Sequence, residues 1–398
     1  MILAIYHYYH RSLEGFSREV WILTIVTLIN RAGAMVIPFL SIYFATVEGF
    51  DLGQIGWLMT SYGFGSFAGA WFGGRLSDRI GYYKTMVISL LSSGVVLLVL
   101  SQVHGYNALL LGVFIFTFTN DLFRPASYVA LNAYSRPQNR TRAISLVRLA
   151  INLGFSIGPA VGGLLIAFYG YAPLFYVDGG TCLIAGLIVL LLLSPKQVKP
   201  MPTTDQVEEE YQPDYRYWLF LVALFAFSFL FIQYFSVLPV FYKTVRHLAE
   251  DEVGYLMAMN GILIFLFEMP LIYALENSKS IFKIMAVASA LLGVSFLILN
   301  FSALGVILVL GMAIGTLAEM LCFPFANAFA LKVGKSNEKG KYMAIFQMSF
   351  SLAHVIGHNA GMHLTEAIGY DGVFYTFTLL ALISGGIFLW LHGMFSNL

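Results

Sequence analysis

The chain has 398 residues, 59% hydrophobic and 11% charged, with a net charge of +1 and a mean hydropathy of +0.79. Soluble domains carry roughly 25% charged residues, so this composition cannot cover the surface of a soluble fold and points to an integral membrane protein. No basic tract or aromatic-interleaved patch suggests a nucleic-acid partner.

The apolar runs are long and continuous, as membrane helices of about 20 residues require, and lack the alternating segments of about 10 that mark a membrane barrel. The fold class expected is therefore all-α. The first stretch, MILAIYHYYHRSLEGFS, lacks the basic-then-apolar-then-small pattern of a cleaved signal and reads as a short segment on the cytoplasmic face. Spans follow at about 20–47, 53–74, 82–102, 106–134, 142–168 and 172–194. A polar stretch, PKQVKPMPTTDQVEEEYQPDYR, comes next, and its prolines and acids mark a linker. Six more spans lie at about 217–243, 252–276, 281–301, 303–332, 340–366 and 371–395. The organisation expected is a six-helix half over 1–195, a cytoplasmic linker over 196–216 and a second six-helix half over 217–398.

Ionisable groups inside spans are costly and are functional candidates by default. In chain order they are Arg31, Asp121, Arg124, Arg148, Glu268 and Glu319. Asp121 and Arg124 sit three apart on one helical face and can neutralise each other. Arg148, Asn152 and Ser156 recur every four residues as a polar stripe; Arg148 can contact a substrate or tie spans together. Glu268, with Asn260 two turns earlier, and Glu319 lack a basic neighbour in their own helices. Burial raises a carboxylate's pKa, which suits a group that takes up and releases a proton; a permanently neutral, hydrogen-bonded Glu is the alternative. Tyr234 is a candidate for lining an apolar cavity. His354, His358 and His363 lie at spacings of four and five, but no nearby Asp, Glu or Cys completes a metal site, so packing or cavity lining is expected. Cys182 and Cys322 fall inside apolar runs and are expected as free thiols.

Charges also crowd into one connection, GGRLSDRIGYYK, from Gly73 to Lys84. Together with Arg136, Arg140, Lys196, Lys283, Lys332 and Lys341 it places most Lys and Arg of the loops on one side, against Lys243 and Arg246 on the other. The positive-inside rule then makes that side cytoplasmic, with both termini there. At an offset of about half the chain the sequence repeats: Gln54-Ile-Gly-Trp-Leu-Met over Glu252-Val-Gly-Tyr-Leu-Met, Pro125 over Pro324, Gly158 over Gly357 and Gly162 over Gly361. GGRLSDRIGYYK has a fainter copy in YALENSKSIFK, with Glu276 for Asp78 and Lys283 for Lys84. Two halves in parallel topology imply a transporter with its site between them.

GGRLSDRIGYYK resembles the loop 2–3 signature of the major facilitator superfamily, matched by Gly74, Asp78, Arg79, Gly81 and Lys84. Tyr82 and Tyr83 stand where that family usually has basic residues. GFSIGPAVGG in span 5 is similar to the family's antiporter signature at Gly154, Gly158, Pro159, Gly162 and Gly163. GTLAEMLCFPFANAFA around Glu319 resembles the span 10 segment of proton-driven multidrug exporters. The resemblance implies the major facilitator fold, with 12 transmembrane helices in two pseudo-symmetric halves. It further implies a conformational latch at Asp78, held against the positive N-terminus of span 11 in the outward-open state, and a helix seal at the antiporter motif.

The function expected is proton-coupled export of amphipathic small molecules by alternating access, with no cofactor beyond the proton gradient and no enzymatic activity. Glu319, Glu268 and Asp121 are the expected proton-coupling groups; Arg31, Arg124, Arg148, Asn152, Asn260 and Tyr234 the expected substrate contacts. The partners expected are the small-molecule substrate, protons and the lipid bilayer, for a functional monomer in the plasma (inner) membrane. An alternative is proton-coupled uptake of peptides or other zwitterionic or anionic solutes: Asn30-Arg31 is similar to the Glu-Arg pair of the oligopeptide family, with Asn30 in place of the Glu. A membrane enzyme using the span 11 histidines is a further alternative, short of ligands.

Overall fold

The computed structural model describes residues 15–136, 139–195, 214–275, 280–301, 304–333 and 339–395. The N-terminal segment, nearly all of the linker expected at 196–216, and Glu276 of the faint repeat lie outside the described residues.

A membrane offers the backbone no water, so spanning segments satisfy their hydrogen bonds internally as helices. The described residues form helices α1 (Arg18–Gly33), α2 (Val36–Thr46), α3 (Leu52–Ile80), α4 (Tyr82–Leu100), α5 (Tyr106–Asp121), α6 (Phe123–Tyr134), α7 (Arg140–Tyr169) and α8 (Ala172–Leu192). The second half adds α9 (Tyr215–Ile232), α10 (Val237–Thr244), α11 (Glu250–Leu275), α12 (Ile281–Leu297), α13 (Gly305–Val333) and α14 (Lys339–Phe395). No strand occurs among the described residues. Ten segments are long and apolar enough to cross a membrane. The α3 helix is as long but richer in glycine and hydroxyl residues, and α14 reverses at Gly369 (φ +73°), so the chain makes twelve crossings. Trp57, Phe168, Leu191 and Tyr273 are exposed on the outside, where lipid replaces water.

Three spans are broken where the sequence suggested continuous helices. The first breaks between Gly33 and Val36, the fourth at Leu122, and the seventh passes through a tight turn at Gln233–Phe235. The cause is the same each time. Pro38, Pro125 and Pro239 each stand third in the helix after the break. A proline is tolerated in a first turn, where its missing N–H is not needed, and cannot continue the preceding helix. Arg31, Asp121 and Arg124 stand at the first two of these interruptions.

Within the first half α1 packs on α7 and α8, α3 on α5, and α4 on α8. Within the second, α14 packs on α9 and α12, and α13 on α11 and α12. The halves meet along α7–α11, α3–α14 and α2–α10. At the face away from the GGRLSDRIGYYK turn these seams are closed. A methyl group at Gly163 would lie 2.6 Å from the Glu250 carbonyl oxygen, one at Gly53 2.8 Å from the His363 ring, and one at Gly254 would collide with the Pro159 carbonyl. Toward the basic face, which carries Arg75, Arg79 and Lys84, the α3–α14 seam loosens. A methyl at Gly74 would meet nothing within 4 Å. An apolar groove of about 540 Å³ opens between α3, α9 and α14, lined by Phe64, Phe67, Trp218, Val222, Met348 and Leu352.

Candidate functional site

In the first half the site is built at the breaks. Arg31 occupies the last turn of α1, Asp121 ends α5, and Arg124 stands in the first turn of α6. The Arg124 guanidinium lies 3.3 Å from Asp121, whose other carboxylate oxygen accepts from the Ser66 hydroxyl. Asp121 is 5% exposed, whereas over half of the Arg124 side chain is open, so the carboxylate lies behind the guanidinium. Arg31 lies 5.6 Å above the Phe155 ring, and its Nε is buried without a hydrogen-bond partner among the described residues. Two guanidinium groups thus stand near Asp121, with Asp178 also within electrostatic reach of Arg31.

Asp178 was missed in the sequence, although a lone acid in APLFYVDGGTCLIAG was signal enough. It is 2% exposed, and its Oδ2 accepts from the Val36 N–H at 3.3 Å. It thereby caps α2 and satisfies a donor that the first-span break sets free. The Asn30 amide points to the Cys182 sulfur at 3.4 Å, and that thiol is 3.8 Å from Asp178. Arg31 is therefore held from a clamped turn. Cys182 and Cys322 are both free and buried.

The opposing wall is acidic. Glu319 on α13 accepts from the Asn260 amide of α11 at 2.9 Å, and the same nitrogen lies 3.0 Å from the Thr316 hydroxyl. Nearer the basic face, Glu268 of α11 pairs with Arg148 of α7 at 3.1 Å. This ion pair joins the two halves across the seam. Asn152 and Ser156 continue the stripe: Ser156 donates to the Asn152 carbonyl at 2.9 Å and packs against Gly261 of α11. Tyr234 stands apart from the cavity wall. It is buried in the second half, donating to Ser295 at 2.8 Å and wedged against Gly315.

The antiporter-like glycines face two ways. Methyl groups at Gly154, Gly158 and Gly162 would press on Arg31, on the Ala32 and Ala34 carbonyls, and on Met35 and Phe39 of the broken first span. Pro159 and Gly163 instead meet α11. One helix thus packs closely within its half and across the seam, as small residues allow. At the GGRLSDRIGYYK turn, Gly81 (φ +89°) makes the one-residue connection that other residues resist. Asp78, Arg79 and Lys84 are exposed, and among the described residues Asp78 makes no hydrogen bond or ion pair. Arg75 stacks on Trp71 at 3.4 Å. Tyr82 and Tyr83 have a packing role: Tyr82 is buried edge-on to Tyr134 at 5.7 Å, and Tyr83 donates to the Leu190 carbonyl at 3.0 Å.

The closed face carries polar ties that sequence reasoning also missed. Tyr171 of the first half donates to Glu250 of the second at 3.2 Å, and Lys243 lies 2.8 Å from the same oxygen. Burial raises the Tyr171 phenol above its usual range, which keeps it a donor. Glu48, just beyond α2, is pushed up by partial burial, but hydrogen bonds from His104 (2.8 Å), Tyr43 (2.9 Å) and the Gly105 N–H (3.4 Å) outweigh this and leave it below the ordinary carboxylate range. Of the three histidines, His363 pairs with Glu366 at 3.4 Å and His358 is fully buried. No cluster of three or more metal-ligating side chains occurs among the described residues.

Known proteins agree with this architecture. A family model described as Major Facilitator Superfamily matches residues 20–358 and 248–394. The chain is 24% identical to a Na(+), Li(+), K(+)/H(+) antiporter of Planococcus maritimus, over 92% of this chain and 94% of that protein. It is 23% identical to the multidrug resistance protein MdtH of Aeromonas salmonicida, over 88% and 89%. The crystal structure of a peptide transporter POT in complex with sulfate superposes with a TM-score of 0.79 at 15% identity, covering 95% of this chain and 94% of that one. At that identity the match establishes fold alone. The chain therefore belongs to the major facilitator superfamily, as a multi-pass membrane transporter of small molecules and not an enzyme.

Proposed function

We propose that the protein is a proton-coupled antiporter that exports amphipathic small molecules. The observation that carries this reading is the way ionisable groups inside the spans divide between the halves: Arg31 and Arg124 in one, Glu319 with its Asn260 donor in the other. A carboxylate held by a single amide donor can bind a proton without dismantling its surroundings. Asp121, tied to both Arg124 and Ser66, is better placed to hold Arg124 than to cycle protons. Cargo with an apolar body and a polar group suits such a cavity, and the relatives named as an antiporter and a multidrug resistance protein support export.

In this reading the basic face is cytoplasmic, both termini lie there, and the protein works as a monomer in the inner membrane. The halves 1–195 and 217–398 rock about the central site, joined by the linker 196–216. The state described is the inward-open one; in the other, Asp78 approaches the start of α14 and acts as the latch. Arg148 and Glu268 belong to the seam more than to the substrate wall, since they bond across it.

A zwitterion would also fit between arginines and a glutamate, and proton-driven uptake is the second reading. The deciding experiment is transport in proteoliposomes under an imposed pH gradient: depletion of cargo against the proton gradient supports export, accumulation with it supports uptake.

A further inference from the structure

The α3–α14 seam buries polar atoms that nothing around them satisfies. His358 is 1% exposed, and neither of its ring nitrogens has a hydrogen-bond partner among the described residues. The amide nitrogen of Asn359, next in sequence, is likewise buried and unpartnered. Buried polar groups are nearly always paired, and leaving one unmade is costly. Three such atoms at adjacent residues call for an explanation. A leucine would fill the space with none of them, so packing alone does not account for an imidazole here.

The surroundings say what is missing. The His358 ring lies edge-on to Tyr62 of α3 at 5.9 Å and to His354 at 5.8 Å. His354 packs against Phe350 at 4.9 Å and lies within electrostatic reach of Asp121 and Arg124. Behind the helix, the Gln233 amide is already committed to the Phe229 and Gly357 carbonyls and the Ser236 hydroxyl. One to two turns beyond His358, His363 and Glu366 stand exposed at the closed face, with Gly53 pressed against them. Two histidines without a third ligand do not make a metal site. Water and the proton are the ligands that fit: small, able to reach both ring nitrogens, and excluded only while the seam is shut.

We propose that His358, with His354 beside it, is a proton-binding site opened and shut by the α3–α14 seam. In the sealed state the His358 ring is shut away from both faces. When the seam parts at the face now closed, water reaches His358 and Asn359, and a hydronium ion gives its proton to an imidazole nitrogen and leaves as water. The imidazolium cannot be buried again beside Tyr62 without losing its hydration, so the proton must depart before the seam recloses. Acid on that side therefore holds the gate open. The inference rests on the alternation of access proposed above and is independent of Glu319 as the coupling group.

The test uses the full chain in nanodiscs, spin-labelled at Val47→Cys and Ile368→Cys, both exposed near the closed face, with the buried native cysteines left in place. The distance distribution between the labels is measured from pH 8 to pH 5. The native histidine is expected to raise the open-to-sealed ratio about tenfold over that range, the effect of about one pKa unit of difference between states. His358→Gln, which hydrogen-bonds but does not titrate, should keep both populations and flatten the response. His358→Leu should favour the sealed population at every pH. A response of native size in both variants would overturn the histidine site. A single distance at every pH with the native histidine would overturn the alternation itself.

Discussion

Arg148 and Glu268 face each other across the seam between the halves, 3.1 Å apart, on the two helices that pack most extensively across it. A pair half open to water is worth about 0.2–1 kcal/mol, enough to shift a two-state balance by up to about fivefold. Glu268→Gln and Arg148→Gln should each move the population toward wider opening at the basic face. The charge-reversed double variant should restore the native distribution. Distances between labels on α7 and α11 measure this directly.

Asp178 should prove a positioning residue. Asp178→Ala leaves the Val36 N–H uncapped and is expected to cost about 1–2 kcal/mol, read as a lower melting temperature in detergent. Asp178→Asn retains an acceptor and should cost less. Because the clamped turn holds Arg31, the alanine variant should also weaken cargo binding, while the asparagine variant largely keeps it.

The closed face depends on glycine. A valine at Gly254 would drive its side chain into the Pro159 carbonyl, an overpacking that costs about 1–3 kcal/mol only while that face is sealed. Gly254→Val should thus favour the state open at that face, and Tyr171→Phe, which removes the tie to Glu250, should act in the same direction but more weakly. Cysteine accessibility near Val47 and Ile368 reads out both.

Glu48 gives a pH dependence of known sign. Its carboxyl is held below the ordinary range in the folded protein, so its contribution is present above the unfolded value of about 4.3 and is lost as pH falls through the folded value. The junction of residues 47–51 with residues 101–105 should loosen on acidification below about pH 4. His104→Ala should remove most of that dependence. Backbone hydrogen exchange in the two loops is the measurement. His104 is largely exposed, so the effect on global stability is small.

The span count, the parallel repeat and the family were legible because each rests on many residues: apolar runs set by bilayer thickness, glycines and prolines kept in register, and a loop signature with positive φ at Gly81. The Asp121–Arg124 pair was legible from helical spacing. The partners of Arg148 and Glu268 were not, because they lie 120 residues apart and meet only through the packing of α7 on α11. Tyr234 was placed on the cavity wall because nothing local distinguishes a tyrosine facing water from one bonded to Ser295. The breaks were overlooked because Pro38 and Pro239 sit inside runs that remain hydrophobic, and hydropathy does not register a missing N–H. Asp178 was hidden in the same way, as one charge in a span otherwise made for lipid.

The central claim is that Glu319 carries the exchanged proton. Its most direct test is cargo efflux from proteoliposomes with and without a pH gradient, comparing the native chain with Glu319→Gln. The account predicts that the glutamine variant, which keeps the hydrogen bond to Asn260, still binds and equilibrates cargo but no longer responds to the gradient. Gradient-driven transport at the native rate in Glu319→Gln would contradict it.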